Sequence, residues 1–169
     1  MTLRDQIVQE ALTWEGTPFH RGARVRGVGG DCYAILWTIY VRHLGVEPWC
    51  PYGSPPEPYT RLFNGQWEWH TKDELFLEAM RLYMPALQEL PWRDAQPGDV
   101  FVTGRAGQPA NHVAYLLPGD CILHARGDPR CSTYRGTLMR ERRHPAFDKT
   151  IRMAFLLTRP DEVPYAGDC

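Results

Sequence analysis

The chain has 169 residues, of which 43% are hydrophobic and 23% charged, and its formal net charge is −1. A chain of this length and hydrophobicity can bury the core of one domain, which excludes disordered and fibrous proteins. The nearly balanced charge argues against a protein whose main role is to bind nucleic acid. We therefore expect a single domain over residues 1–169 that makes no direct contact with nucleic acid.

The sequence carries no signal for a membrane, an export route or a metal. No apolar run approaches the roughly 18 residues that a membrane span requires, and the sequence from Met1 lacks the layout of a signal peptide. The cysteines are odd in number and form no Cys-x-x-Cys pair, so neither a disulfide framework nor a structural zinc site is indicated. They are Cys32, Cys50, Cys121, Cys131 and Cys169. We expect a reduced protein, made in the cytoplasm without a signal peptide, not inserted in a membrane and without cofactor or metal.

The first half of the chain has helical patterning. Apolar residues recur at helical spacing from Thr2 to Trp14, with Thr2 as the predicted N-cap. After a loop rich in glycine and arginine, a second predicted helix begins at Cys32 and ends at Gly45. Prolines and aromatics crowd residues 47–70, which predicts a packed insertion, with a docking surface for a partner as the alternative. A capping box over 71–74 then predicts a helix that stops before residue 85.

The second half of the chain has the pattern of β-strands. Short apolar runs with alternating character follow residue 98 and predict strands over 99–103, 112–117, 121–125, 137–141 and 151–157. Helices followed by strands predict an α+β fold, in which N-terminal helices pack on one face of a C-terminal antiparallel β-sheet.

Cys32 is the candidate nucleophile. It follows two glycines and Asp31 and begins the second predicted helix. Unpaired N–H groups and the positive end of the helix dipole stabilise a thiolate, and such positions can lower the pKa of a cysteine from about 8.5 to roughly 3.5–7.5. Taken without this context, a cysteine is more often a small buried hydrophobic residue.

Two histidines in the second and third predicted strands are the candidate partners of this thiol. Residues 118–120 form a turn signal between the strands, which predicts a β-hairpin. A register symmetric about Pro118 places His112 directly opposite His124, provided that the turn has an odd length. Ala114 would lie on the same face and leave room for the Cys32 helix. This predicts a nucleophile, a base and an orienting residue, the last being His124, Asn111 or Asp128.

Five motifs in this order resemble the NlpC-type cell-wall peptidases, which are papain-like cysteine hydrolases that cut peptide bonds in bacterial peptidoglycan. The motifs are Gly16-Thr17-Pro18-Phe19, Gly30-Asp31-Cys32, Gln96-Pro97-Gly98-Asp99-Val100, His112-Val113-Ala114-Tyr115 and Ile122-Leu123-His124-Ala125. The resemblance implies a papain-like α+β fold, with Cys32 as nucleophile, His112 as general base and His124 as the orienting residue. It also implies a peptidoglycan stem peptide as substrate, cut between γ-D-glutamate and the diamino acid.

The chain is most similar to the phage-tail and gene-transfer-agent branch of that family, which carries a similar proline-rich insertion. This implies tail-tip or baseplate proteins as partners and a place in a phage-like tail. Phe19 stands where the family often has tyrosine, and Tyr33 where it often has a small residue. Together with His20 and Asp31, these two are the predicted substrate-binding residues. The alternatives are an inactive tail-tip protein that uses the fold as a docking module and, further off, a secreted amidase toxin.

Overall fold

The computed structural model describes residues 1–20, 23–32, 35, 36, 38, 74–83, 87–127 and 136–157. The helices are Leu3–Leu12, a helix that begins at Cys32, Leu75–Tyr83 and the short Pro145–Asp148. The strands are β1 (Arg24–Val25), β2 (Gly29–Gly30), β3 (Leu87–Leu90), β4 (Val100–Thr103), β5 (His112–Leu117), β6 (Cys121–Gly127), β7 (Gly136–Arg142) and β8 (Ile151–Leu157). The predicted insertion over 47–70 and the predicted end of the Cys32 helix at Gly45 lie outside the described residues, so both stay predictions.

The N-terminal helix begins where the sequence predicts. The Thr2 side chain accepts a hydrogen bond from the Asp5 backbone N–H at 3.2 Å, and the Asp5 carboxylate accepts one from the Thr2 backbone N–H at 2.7 Å. This reciprocal capping box satisfies two donors that the helix leaves unpaired. Ile7, Val8 and Ala11 are buried on one side of the helix. The predicted helix and its N-cap are therefore confirmed.

Six strands form one antiparallel sheet in the order β3-β8-β4-β5-β6-β7. All five predicted strands are present, each within two residues of its predicted ends. β3 was not predicted because its sequence, LQEL, is too short to show alternation. The prediction of a loop before Cys32 was also wrong in part, since β1 and β2 pair there as a small hairpin.

The two faces of the sheet carry different hydrophobic clusters. The larger cluster holds the N-terminal helix, the Cys32 helix and the Leu75–Tyr83 helix against one face, which includes Val113, Tyr115 and Leu123. The opposite face carries a smaller cluster around Phe101 and Ala114, partly covered by Phe147 of the short Pro145–Asp148 helix. The helices thus pack on one face of an antiparallel sheet, and the predicted α+β fold is confirmed.

The Gln96–Val100 motif has a structural role at the start of β4. The Asp99 carboxylate is fully buried and accepts hydrogen bonds from the Arg4 guanidinium at 2.6 Å and from the Gln96 backbone N–H at 2.7 Å. Gly98 has φ +96°, and a Cβ there would lie 3.2 Å from the Arg4 carbonyl oxygen. Only glycine tolerates both the conformation and the approach. The motif therefore ties β4 to the N-terminal helix.

None of the helices in the described ranges has the length and hydrophobicity that would let it cross a lipid bilayer.

Candidate active site

Backbone contacts fix the segment that precedes Cys32. The Gly30 N–H donates to the Pro18 carbonyl at 2.9 Å, and the Phe19 N–H donates to the Gly136 carbonyl at 2.7 Å. Pro18 also forms an isolated β-bridge with Thr137. The chain therefore enters the Cys32 helix from the end of the sheet at which β7 begins.

Tyr115 connects the start of the Cys32 helix to the sheet. Its hydroxyl donates to the Cys32 carbonyl at 3.4 Å, and its ring is buried in the larger core cluster. Cys32 itself is half-buried and packs against the same cluster. Because Tyr115 belongs to β5, the strand that begins with His112, one strand carries the candidate base and contacts the backbone of the candidate nucleophile. The sequence analysis assigned Tyr115 no role beyond its place in a motif.

His112 and His124 are in direct contact. His112 Nε2 lies 3.1 Å from His124 Nδ1, and the ring centroids are 5.3 Å apart with the planes inclined at 64°. His112 is half-buried and His124 is 9% exposed. An N···N distance of 3.1 Å is that of a hydrogen bond, so one of the two nitrogens donates to the other.

The predicted register of the hairpin was wrong by two residues. His124 lies opposite Ala114, and Leu117 opposite Cys121, so paired residue numbers sum to 238 rather than to 236. The three-residue turn has the odd length that the prediction required, so both histidines still face the same side of the sheet. They meet as diagonal neighbours, a separation that long side chains can bridge.

The predicted role of Ala114 was also wrong. Ala114 packs with Phe101 in the smaller cluster, whereas Ile35 and Leu36 of the Cys32 helix belong to the larger cluster on the other face. The small side chain of Ala114 therefore accommodates Phe101 on its own face of the sheet and not the Cys32 helix.

By strand alternation His112 shares the face of Ala114, but it is the first residue of β5 and so lies at one end of the sheet. Continuing the β5–β6 register places His112 level with Arg126, and Arg126 pairs with Thr137 of β7. Thr137 bridges to Pro18, to which Gly30 is hydrogen-bonded. The base and the chain that leads to the thiol therefore share one end of the sheet.

Glu141 and Arg126 extend the histidine pair into a line of polar groups, which the sequence analysis missed. Glu141 Oε1 lies 3.1 Å from His124 Nε2, and Glu141 Oε2 lies 2.9 Å from the Arg126 guanidinium. Strand alternation could have placed both side chains on the histidine face. Their contacts across the strands follow from the β6–β7 register, which the sequence analysis did not predict.

Burial and charge shape the protonation of the two rings. Burial, assisted by the charge of His124, lowers the pKa of His112 from 6.5 to about 3. Burial also lowers the pKa of His124, against the opposing effect of the Glu141 carboxylate. Both imidazoles are therefore neutral at neutral pH, which is the form in which His112 can accept a proton.

This burial predicts a specific dependence of stability on pH. An unfolded histidine takes up a proton near pH 6.5, whereas folded His112 does so only near pH 3. Between these values the unfolded chain binds more protons, so the contribution of His112 to stability is complete above pH 6.5 and is lost as the pH falls. Urea unfolding at pH 7 and pH 5 should show a loss of stability that is about 2 kcal/mol smaller in His112→Asn than in the wild type. Equal losses in both proteins would contradict the assignment.

Three of the four predicted substrate-binding residues, Phe19, His20 and Asp31, lie in described segments before the Cys32 helix. Phe19 is half-buried against the larger core, Asp31 is half-buried and His20 is exposed. A Cβ on Gly29 would lie 2.8 Å from His20 Cδ2, so the glycine lets the imidazole lie against β2. Tyr33 and the alternative orienting residue Asp128 lie outside the described residues. The backbone N–H of Asn111 donates to the Thr103 carbonyl at 2.9 Å, whereas His124 Nδ1 lies 3.1 Å from His112 Nε2.

Over the described part of the chain, no group of three or more histidine, cysteine or acidic side chains has an arrangement that could hold a metal ion.

The fold is a papain-like α+β fold of the NlpC type, in which a helix that begins with cysteine packs on an antiparallel sheet that carries histidines. It is similar to the crystal structure of the NlpC/p60 domain of the peptidoglycan hydrolase SagA, with a TM-score of 0.54 and 20% identity over 90% of this chain and 97% of that one. It is equally similar to a protein of Staphylococcus aureus subsp. aureus Mu50 described as similar to lipoprotein, NLP/P60 family, again at TM-score 0.54 and 20% identity. That match covers 93% of this chain and 42% of the other, so this chain spans less than half of that protein. No protein-family model matches the sequence, and no curated protein is detectably similar to it in sequence.

Proposed function

We propose that this protein is a cysteine peptidase that hydrolyses peptide bonds in peptidoglycan stem peptides. One observation carries the proposal: a desolvated His112–His124 pair lies at the end of the sheet from which the Cys32 helix starts. The NlpC/p60 fold supports the substrate class, because one of its similar structures is a domain of a peptidoglycan hydrolase.

In the proposed reaction, His112 takes the proton of the Cys32 thiol, and the thiolate sulfur forms a bond to the carbonyl carbon of the scissile amide. The C–N bond then breaks as the His112 imidazolium gives its proton to the leaving amine. A water molecule, deprotonated by His112, attacks the thioester and releases the new carboxylate. The proton returns to the sulfur, so cysteine and imidazole end as they began.

The charge that develops on the carbonyl oxygen needs donors. We assign this role to backbone N–H groups in the first turn of the Cys32 helix, because the first turn of a helix has no acceptors within the helix for its donors. Phe19 has no hydroxyl to add to this set. In this proposal the oxyanion donors are therefore backbone groups.

The proposed activity is tested by incubating the protein with purified peptidoglycan sacculi and analysing the soluble products by mass spectrometry. We expect free amino groups to increase with time and the fragments to end at γ-D-glutamate, with the diamino acid carrying the new amine. Cleavage at sugar linkages alone, or no release at any protein concentration from sacculi that a known hydrolase digests, would contradict the proposal.

We propose as the biological setting the tail tip of a phage-like particle, where cleavage would open the cell wall for genome entry. The support is the sequence resemblance to the phage-tail and gene-transfer-agent branch, including the insertion over 47–70. In that setting other tail-tip or baseplate proteins are the partners, and the protein is incorporated into the particle after its synthesis in the bacterial cytoplasm. Mass spectrometry of purified tails should find it among their components.

A second function, a docking module without catalysis, is favoured by one observation. Phe19 packs against the core where the resembling peptidases often have a tyrosine hydroxyl near the scissile carbonyl. An inactive module would leave Cys32 with ordinary thiol reactivity. Rapid alkylation of Cys32 by iodoacetamide well below pH 8 would therefore exclude the second function.

A further inference from the structure

We propose that Glu141 is a positioning residue that fixes which ring nitrogens of His124 and His112 carry protons, so that His112 offers an unprotonated Nδ1. This inference rests on the proposed function, because it concerns the base of that reaction. It adds a fourth side chain to the predicted set of Cys32, His112 and His124.

The first step concerns His124. An ionised carboxylate only accepts hydrogen bonds, and Glu141 Oε1 lies 3.1 Å from His124 Nε2. A bare Nε2 would set a lone pair against that oxygen, whereas a protonated Nε2 presents a positive hydrogen. The N–H is not aimed straight at Oε1, so the contact is mainly electrostatic. The carboxylate still favours the form of His124 that has its proton on Nε2.

The second step passes this choice to His112. A neutral imidazole carries one N–H, so His124 with a proton on Nε2 has a bare Nδ1. That nitrogen lies 3.1 Å from His112 Nε2 and must accept a hydrogen bond from it. His112 then has its own single proton on Nε2, and its Nδ1 is bare. The nitrogen that faces away from His124 is left as the base.

The third step concerns how Glu141 and His124 are held. Glu141 Oε2 accepts a hydrogen bond from the Arg126 guanidinium at 2.9 Å, which leaves Oε1 for His124. The ring of Phe147 lies edge-on to His124, with centroids 6.2 Å apart and planes at 83°. Among the residues that the structure describes, the charged or titratable groups that act on His124 are His112 on β5, Glu141 on β7 and Arg126 on β6 itself. His112 contacts Nδ1 of His124, and Glu141 contacts Nε2 of the same ring.

The same line of groups stays hydrogen-bonded when the base becomes charged. When His112 accepts the thiol proton it becomes an imidazolium, and its Nε2–H donates more strongly to His124. Glu141 supplies the negative charge at the far end of the line, with 31% of its side chain exposed. In a catalytic triad a carboxylate orients the histidine directly, whereas here the imidazole of His124 lies between the carboxylate of Glu141 and His112.

The test reads the ring nitrogens directly and needs no substrate. In ¹⁵N NMR of imidazole-labelled protein at neutral pH, wild type should show His124 and His112 both protonated on Nε2 and bare on Nδ1. Glu141→Leu, which removes the acceptor but keeps the bulk, should show a mixture of the two tautomers. A wild-type spectrum with the proton of either ring on Nδ1 would overturn the proposal, as would a Glu141→Leu spectrum identical to wild type.

Activity gives a second readout that separates positioning from mere stability. Glu141→Leu should lower kcat at least about 10-fold with little change in KM, and Glu141→Gln, which keeps an acceptor oxygen, should recover part of that loss. Glu89→Gln is the matched control, since Glu89 is a partly exposed strand carboxylate paired with Arg81. If Glu141→Leu does not fold, the wild-type spectrum alone decides. If no protein cleaves sacculi but the tautomers are as expected, the proposed function fails and the assignment of Glu141 stands.

Discussion

Replacing Cys32 by alanine is expected to lower the rate of peptide-bond cleavage in purified sacculi by at least about 10³-fold, because no other group can form the thioester. The loss should fall on kcat, since the removed atom binds little of the substrate. Amine release over time, measured at matched protein concentrations, checks this result.

The matched control is Cys121→Ala. Cys121 is also a half-buried thiol, but it begins β6 at the opposite end of the strand from Arg126. The Cys121→Ala protein should cleave at the wild-type rate. In the wild-type protein, iodoacetamide should label Cys32 before Cys121. A Cys32→Ala protein that folds as shown by circular dichroism and still releases amines would remove Cys32 from the mechanism.

Replacing His112 by asparagine is expected to lower kcat/KM by about 10²- to 10⁴-fold, the usual range for loss of a general base. Asparagine retains an amide that can contact His124 but has no nitrogen that accepts a proton at neutral pH. The alkylation rate of Cys32 should fall as well, because the thiol then loses its proton acceptor. Steady-state cleavage and iodoacetamide kinetics on the same preparation check both effects.

His144→Asn is the control for this substitution. His144 is exposed and caps the Pro145–Asp148 helix by accepting from the Ala146 N–H at 3.1 Å. Asparagine is itself a good N-cap, so this variant should keep both stability and activity. Unchanged cleavage by His112→Asn would show that another group takes the thiol proton.

Local patterns predicted most of the described fold. The N-terminal helix followed from a capping residue and apolar spacing, and five strands followed from alternation, because both signals lie within short windows of sequence. β3 escaped because it is a four-residue edge strand whose partner, β8, lies 60 or more positions along the chain. The β1–β2 hairpin was not predicted because strands of two residues are too short to show alternation.

The candidate site was predicted in its residues but not in all of its contacts. The contact of His112 with His124 followed from strand alternation, because the error of two residues in the register leaves both side chains on the same face. The face against which the Cys32 helix packs depends on the whole set of core contacts, and the prediction from Ala114 alone was wrong. Alternation could have placed Glu141 on the histidine face, but its contact with His124 depends on the register of β6 with β7, which the sequence analysis did not predict.

The hydrogen bond from Tyr115 to the Cys32 carbonyl has a mechanical consequence. β5 lies inside the sheet and is hydrogen-bonded to β4 on one side and to β6 on the other. A displacement of this strand carries the imidazole of His112 and the tether of the cysteine backbone in the same direction. Motion of surface loops should therefore change the separation of these two groups less than it would if each lay on a loop of its own.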